Sequence, residues 1–244
     1  VNIIRTKIIS NSPPSKPFIS VLIPTYNQAN YLPQTLNSLL AQTYTNWEAV
    51  IVNDGSTDYT SLILEQYSSK DHRFRVFHKK NGGVGSALNE ALRNARGEWI
   101  CWLSSDDLFM RNKLELHTYA FRKYPDIKFF HTDYYVLNEA TQETTPSGIN
   151  YDEFIPSCEL QIIKFFQINY FNGITVCIHR SVFDCVGFFK ENLRNGQDFD
   201  MWLRISAHYR SQFLRRKTSI TRIHPSSGTS ISVEAGIFDS ARAC

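Results

Sequence analysis

Two adjacent carboxylates, Asp106 and Asp107, follow Ser104 and Ser105 directly after the apolar run Trp99 to Leu103. A short continuous apolar run is how a strand covered on both faces by helices reads. In open α/β sheets, ligands bind just outside the carboxyl ends of the strands. Paired carboxylates in such a place repel each other, and a hard divalent cation bridging to a phosphate relieves that repulsion. Mg²⁺ uses only one or two protein carboxylates and fills its other positions with phosphate and water oxygens. The competing reading is a solvated turn with a helix cap, since Ser and Asp serve both purposes. The elements that would carry these residues separate the two.

Phe18 to Ile23 reads as a first strand and ends in Pro24-Thr25-Tyr26-Asn27. Leu32, Leu36, Leu39 and Leu40 have helical spacing over Leu32 to Leu40. Trp47 to Val52 is a second strand, followed by Asn53-Asp54-Gly55-Ser56-Thr57-Asp58. The next helix is expected to turn Leu62, Ile63 and Tyr67 to one face. Phe74 to Phe77 is a third strand, and Asn81-Gly82-Gly83-Val84-Gly85 turns into a helix over Ser86 to Ala95. That alternation means βαβ units, a parallel sheet and right-handed crossovers. Three strand ends therefore converge on one rim: Pro24 to Asn27, Asp54 to Asp58, and Ser104 to Asp107. The glycine turn has neither the G-x-G-x-x-G spacing of a dinucleotide site nor the pattern of a P-loop.

Beyond Asp107 the pattern predicts a helix over Met110 to Tyr124, a strand over Ile127 to Leu137 and a polar loop over Asn138 to Asn150. A helix over Glu159 to Tyr170 and a strand over Gly173 to His179 follow. The last elements are a helix over Asp198 to Tyr209, with Phe199, Trp202, Leu203 and Ser206 inward, and a strand over Ser211 to His224. Val1 to Lys16, with Ser-Pro-Pro-Ser-Lys-Pro, reads as an arm.

The 244 residues suffice for one large domain or two small ones. A hydrophobic share of 42% is ordinary for a globular chain with ample core material. The net charge of +3 does not point to nucleic acid as a partner. Cys101, Cys158, Cys177, Cys185 and Cys244 show no paired metal spacing, and an odd, scattered set suggests reduced thiols in the cytosol. No apolar run is long enough to cross a bilayer, and no signal peptide opens the chain. The chain starts with Val rather than Met, so it is expected to be a piece of a longer protein. Peripheral association with the cytoplasmic face of the membrane would then rest on a segment outside it.

From about Pro17 to Ser230 these residues resemble the family-two inverting glycosyltransferases of the GT-A fold. The resemblance rests on motifs in fixed order: Val21-Leu22-Ile23-Pro24-Thr25-Tyr26-Asn27, Asn53 to Asp58, Asn81 to Gly85, the aspartate pair, and Gly196-Gln197-Asp198-Phe199-Asp200-Met201-Trp202. It implies an α/β fold in which a single Rossmann-like nucleotide-binding sheet merges with an acceptor-binding half. Residues 17–109 would form the nucleotide-sugar half and 110–230 the acceptor and catalytic-base half, with 1–16 an arm and 231–244 a tail. It implies a nucleotide-sugar donor, usually a UDP-sugar, a Mn²⁺ or Mg²⁺ ion, and a glycan or glycoconjugate acceptor. Pro24, Tyr26 and Asp54 would hold the base and Asp106 the metal, with Thr25, Asn27, Gly83, Ser104 and Ser105 completing the donor site. Asp54 would accept a hydrogen bond from the imide N–H of uracil, which cytosine lacks.

Two hypotheses follow. In an active enzyme the acceptor hydroxyl needs a general base, for which Asp198 is the candidate. His224, ending the final strand, is a second metal or phosphate candidate. In the alternative, the chain is a catalytically impaired binding module of the same fold. That reading is motivated by Ser104, where the family often has an aspartate. A sugar nucleotidyltransferase would want a basic, glycine-rich loop after the first strand, and Pro24 to Asn27 is neither. Aromatics are dense from Phe129 to Phe171 and suit sugar faces, but most are expected in the core.

Overall fold

The computed structural model describes residues 16–149, 157–167, 171–225 and 227. Strand and helix alternate through the first half: β1 (Ile19–Thr25), α1 (Leu32–Leu40), β2 (Trp47–Asn53), α2 (Thr60–Lys70), β3 (Phe74–His78), α3 (Val84–Asn94) and β4 (Trp99–Trp102). Then come β5 (Leu108–Phe109), α4 (Lys113–Lys123), β6 (Phe129–Asn138), β7 (Glu143–Pro146), α5 (Cys158–Gln167), β8 (Val176–His179), α6 (Ser181–Val186), α7 (Gln197–Ser206) and β9 (Ser211–Ile223). Among the described residues the strands form one sheet in the order β3-β2-β1-β4-β8-β6-β9-β5, with β7 on β6. β1, β2, β3 and β4 run parallel, as the βαβ pattern requires, and β8 joins β4 antiparallel.

Every residue of β1, β2 and β4 is buried, because helices cover both faces. The period-two alternation of side chains divides the core. Ile19, Val21 and Ile23 pack with Leu32, Leu36 and Leu39 of α1 and Leu64 of α2. Leu22, Val50 and Val52 meet Ala87, Leu88 and Ala91 of α3, and that layer continues to Trp202 and Ile205 of α7. Truncating a side chain such as Leu36 to Ala would cost about 2–5 kcal/mol.

β1 runs past its expected end to include Pro24, and the pairing explains why a proline is tolerated there. Leu103 donates to the carbonyl of Leu22, so residues 22 and 24 face the β4 side. β4 pairs only as far as Leu22 with Trp102, so the ladder asks nothing of residue 24 on that side.

Three expectations are corrected. The stretch expected as a polar loop over Asn138 to Asn150 contains β7, which pairs with β6 from Tyr135–Pro146 to Asn138–Glu143. All four β7 residues are exposed, so it leaves no apolar alternation to read. On α2 the buried residues are Thr60 and Leu64, with Ile63 and Tyr67 packed beside them, while Leu62 is 50% exposed. The two-residue β5 and six-residue α6 are too short to leave a period. The strand expected from Gly173 opens as a 3-10 turn over Gly173–Thr175 before β8. On α7, Trp202 and Ser206 are buried as expected, with Phe199 and Leu203 packed against the core. Tyr151, Phe154 and Tyr170, the 1–15 stretch of the expected arm and the 231–244 tail lie outside the described residues. Among the described residues no helix is long and apolar enough to cross a membrane.

Candidate functional site

The loops leaving β1 and β2 are stitched into one rim. The backbone N–H of Asp54 donates to the carbonyl of Thr25 at 2.8 Å. Asn27, in the left-handed region at φ 52°, donates its N–H to Ser56 Oγ at 2.9 Å and accepts from the N–H of Thr57 at 2.8 Å. Asp58 accepts from the N–H groups of Ala29 and of Thr60, both at 3.0 Å. Burial raises the Asp58 pKa, but the Thr60 hydroxyl and those amides outweigh it, and the net shift is downward. Thr25 is buried in the rim, whereas Tyr26 is its exposed aromatic, 48% accessible.

Asp54 is placed differently from the expectation that it offers a free acceptor to a base. It is 3% exposed, and both its oxygens are taken. Oδ1 accepts from Lys79 Nζ at 2.7 Å and from the Gly82 N–H at 3.0 Å. Oδ2 accepts from Gly82 at 3.1 Å and from Gly83 at 2.8 Å. The carboxylate thus ties the end of β2 to the glycine turn that opens α3. That turn needs glycine at Gly83, where φ is +88°. Gly55 is required twice over, by φ +77° and by an Asn81 backbone nitrogen 2.8 Å from where a Cβ would sit.

The aspartate pair divides into two roles. Asp107 is buried, and its Oδ1 accepts the Arg222 N–H at 2.7 Å. Burial, then the neighbouring Asp106 charge, pushes its pKa well above the ordinary range. Asp106 keeps its carboxylate toward the end of β9, with Oδ2 3.1 Å from His224 Nε2. Tyr31 lies against the His224 ring, centroid to centroid 4.2 Å. Ser105 is scaffold: its carbonyl accepts from Thr35 Oγ1 of α1 at 3.0 Å, a hydroxyl that also reaches the Asp107 carbonyl at 2.9 Å. Ser104 is only partly buried at the same rim.

A guanidinium of the chain itself lies beside the aspartate pair, and it meets the Asp106 backbone rather than either carboxylate. Arg222 donates from Nε to the Asp106 carbonyl at 2.8 Å and from a terminal nitrogen to Gln34 Oε1 at 2.8 Å, and its other terminal nitrogen pairs with Glu139. Sequence reasoning missed this residue, because a single arginine on a late strand carries no pattern.

Asp198 lies in the first turn of α7 and accepts the Phe199 N–H at 2.9 Å. The helix amides favour its charge, but burial outweighs them and raises its pKa. Asp200, two residues further along α7, is structural: Lys190 at 2.5 Å and Arg204 at 2.6 Å neutralise it. The α7 helix is tied back to the rim by Trp202 beside Trp102 of β4, centroids 6.3 Å apart. A second tie runs through Asn89 of α3, which exchanges two 2.9 Å hydrogen bonds with the Phe189 backbone.

The structure therefore brings Asp106 and His224 into direct contact. It joins Thr25, Asn27 and Asp54 in one rim with Gly83, and it sets Asp198 on a helix packed against β4, which ends two residues before Ser104. A carboxylate oxygen beside an imidazole nitrogen gives a divalent cation one ligand of the kind Mn²⁺ and Mg²⁺ prefer, the carboxylate, and one nitrogen ligand. Among the described residues no cluster of three or more such side chains forms a complete protein cage.

A family model described as glycosyl transferase family 2 matches residues 20–194. A glycosyltransferase of Rickettsia typhi is 35% identical over 198 residues, covering 79% of this chain and 61% of the relative. The putative teichuronic acid biosynthesis glycosyltransferase TuaG of Bacillus subtilis is 34% identical over 192 residues, covering 78% of this chain and 72% of TuaG. The crystal structure of S. aureus TarS 1-349 in complex with UDP superposes with a TM-score of 0.69 at 24% identity, over 85% of this chain and 61% of that one. The superposition shows the fold, the mixed α/β GT-A arrangement that the motifs implied. The chain spans about three fifths of the Rickettsia typhi relative's length.

Proposed function

The chain belongs to glycosyl transferase family 2, and we propose that it moves a sugar from a UDP-sugar to a hydroxyl of a glycan or glycoconjugate, with inversion at the anomeric carbon. The observation that carries this reading is the Asp106–His224 pair at 3.1 Å, at the carboxyl end of the parallel strands. Residues 17–109 supply the donor half, and 110–230 supply the acceptor half together with His224. UDP as the donor nucleotide is supported by the UDP complex of TarS, a structural neighbour.

Asp106 and His224 are the residues that would hold Mn²⁺ or Mg²⁺, which takes only one or two ligands from the protein. When bound, the ion stabilises the negative charge of the departing diphosphate as a Lewis acid. The protein's own work is positioning and proton transfer. Tyr26 offers an exposed ring to the base. Asp54 shapes the glycine turn rather than reading the imide directly, and Ser104 offers a hydroxyl to the ribose. Asp198 takes the proton of the acceptor hydroxyl as its oxygen bonds to the anomeric carbon and the sugar–phosphate bond breaks. A carboxylate whose pKa is raised by burial is the better base, because proton transfer is most efficient when the pKa approaches the working pH.

The test is UDP release from a panel of UDP-sugars with Mn²⁺, with and without bacterial glycan acceptors. Release that depends on Mn²⁺ and on Asp198 is expected. A protein that binds UDP but releases none from any donor is the impaired binding module that Ser104 suggests.

A further inference from the structure

We infer that Arg222 is the positioning residue of the Asp106–His224 pair and that Glu139 is its charge partner; this rests on the metal reading above. The Arg222 side chain is 2% exposed. It joins three separate parts of the molecule: the Asp106 carbonyl at 2.8 Å, Gln34 of α1 at 2.8 Å, and Glu139 beyond the end of β6. Its backbone N–H also holds Asp107 at 2.7 Å. Its guanidinium carbon lies 5.0 Å from the centre of the Tyr31 ring, and Tyr31 in turn lies 4.2 Å from His224. One side chain thus acts on both members of the pair, through the backbone of Asp106 and through the ring against His224. A planar guanidinium fork can hold several acceptors at once in fixed directions, which an ammonium cannot. Its positive charge would oppose a divalent cation next to it unless offset, and the Glu139 carboxylate offsets it.

The experiment measures Mn²⁺ uptake by the loss of the free-ion paramagnetic resonance signal, with UDP present, alongside UDP affinity in EDTA. The proteins are wild type, Asp106→Ala, Arg222→Ala, Arg222→Lys and Glu139→Gln. Outer-shell partners typically contribute 10–100-fold to metal affinity, so Arg222→Ala is expected to weaken Mn²⁺ by at least about tenfold while UDP affinity in EDTA changes by less than about twofold. Arg222→Lys, with one donor head in place of the fork, is expected to restore only part of the loss. Glu139→Gln keeps an acceptor but not the charge, and is expected to weaken Mn²⁺ severalfold in a folded protein. If Arg222→Ala does not fold, Glu139→Gln decides, and unchanged Mn²⁺ affinity there overturns the inference. A folded Arg222→Ala that loses thermal stability but binds Mn²⁺ like wild type also overturns it, leaving the metal reading intact. Wild type and Asp106→Ala taking up Mn²⁺ equally would sink the metal reading and the inference with it.

Discussion

Asp106 and His224 are 118 positions apart in the chain, yet Asp106 Oδ2 and His224 Nε2 lie 3.1 Å apart. The contact exists because β5 returns from the aspartate turn and pairs antiparallel with β9, Leu108 against Ile220. Asp107, next in sequence, faces the other way, into the β9 backbone. Asp106 is a central residue of the turn that the Asp107 N–H closes on the Ser104 carbonyl at 3.1 Å, and Asp107 leaves that turn toward β5. One carboxylate thereby faces His224 while the other is bonded to the β9 backbone.

Asp54→Ala is expected to lower thermal stability, because it leaves Lys79 and two glycine amides without their acceptor. Such losses cost about 1–3 kcal/mol. With the turn at α3 loosened, affinity for UDP, CDP and GDP should fall together. Nucleotide titrations that keep the ratio between UDP and CDP within about threefold fit this role, since a direct bidentate or imide contact is worth more than that. A selective loss of UDP binding would return Asp54 to the role of base reader.

Asp198→Asn keeps the shape of the side chain and its place in the first turn of α7 but cannot take a proton. It is expected to fold and to bind UDP with Mn²⁺ like wild type, and to lose about a hundredfold or more in transfer rate. Unchanged turnover per folded molecule would place the base elsewhere.

The same residue predicts a pH profile. Burial raises the Asp198 pKa above its ordinary 3.8, so the base becomes protonated at a higher pH than an exposed aspartate would. The acid limb of kcat/KM is therefore expected to fall above 3.8, and to vanish in Asp198→Asn. A limb at or below 3.8 in wild type would contradict the assignment.

Stability should fall as the solution is acidified from neutrality. Burial, joined at His117 by the Lys113 charge, pushes His117 down to about 3, and burial alone does the same to His131. Between the ordinary histidine value of 6.5 and 3 the unfolded chain binds protons that the folded chain refuses, so acid favours unfolding. One pH unit below 6.5, each histidine costs on the order of 1 kcal/mol. Urea midpoints measured from pH 7 to 5 should drop accordingly, and His117→Gln should make that drop shallower. A slope unchanged by that substitution would show that His117 titrates normally.

The parallel half of the sheet was legible because β1, β2 and β4 are continuous apolar runs, and that pattern is the direct consequence of burial on both faces. The rim residues were legible as a group because each follows such a run. What each one does was not. Whether Asp54 is free depends on Lys79 and Gly82 arriving from beyond β3, and nothing local to Asp54 announces them. The division between Asp106 and Asp107 depends on β9, more than a hundred residues on. β7 was hidden because all its residues face solvent, and Arg222 because one arginine makes no pattern.

The most direct test of the account is calorimetric titration of UDP into wild type, Asp106→Ala, His224→Ala and Asp107→Asn, each with Mn²⁺ and again with EDTA. The account predicts that wild type and Asp107→Asn bind more tightly with Mn²⁺. Asp106→Ala and His224→Ala should bind the same with Mn²⁺ or EDTA, at the wild-type EDTA level. Equal Mn²⁺ enhancement in all four proteins, or none in wild type, would contradict it.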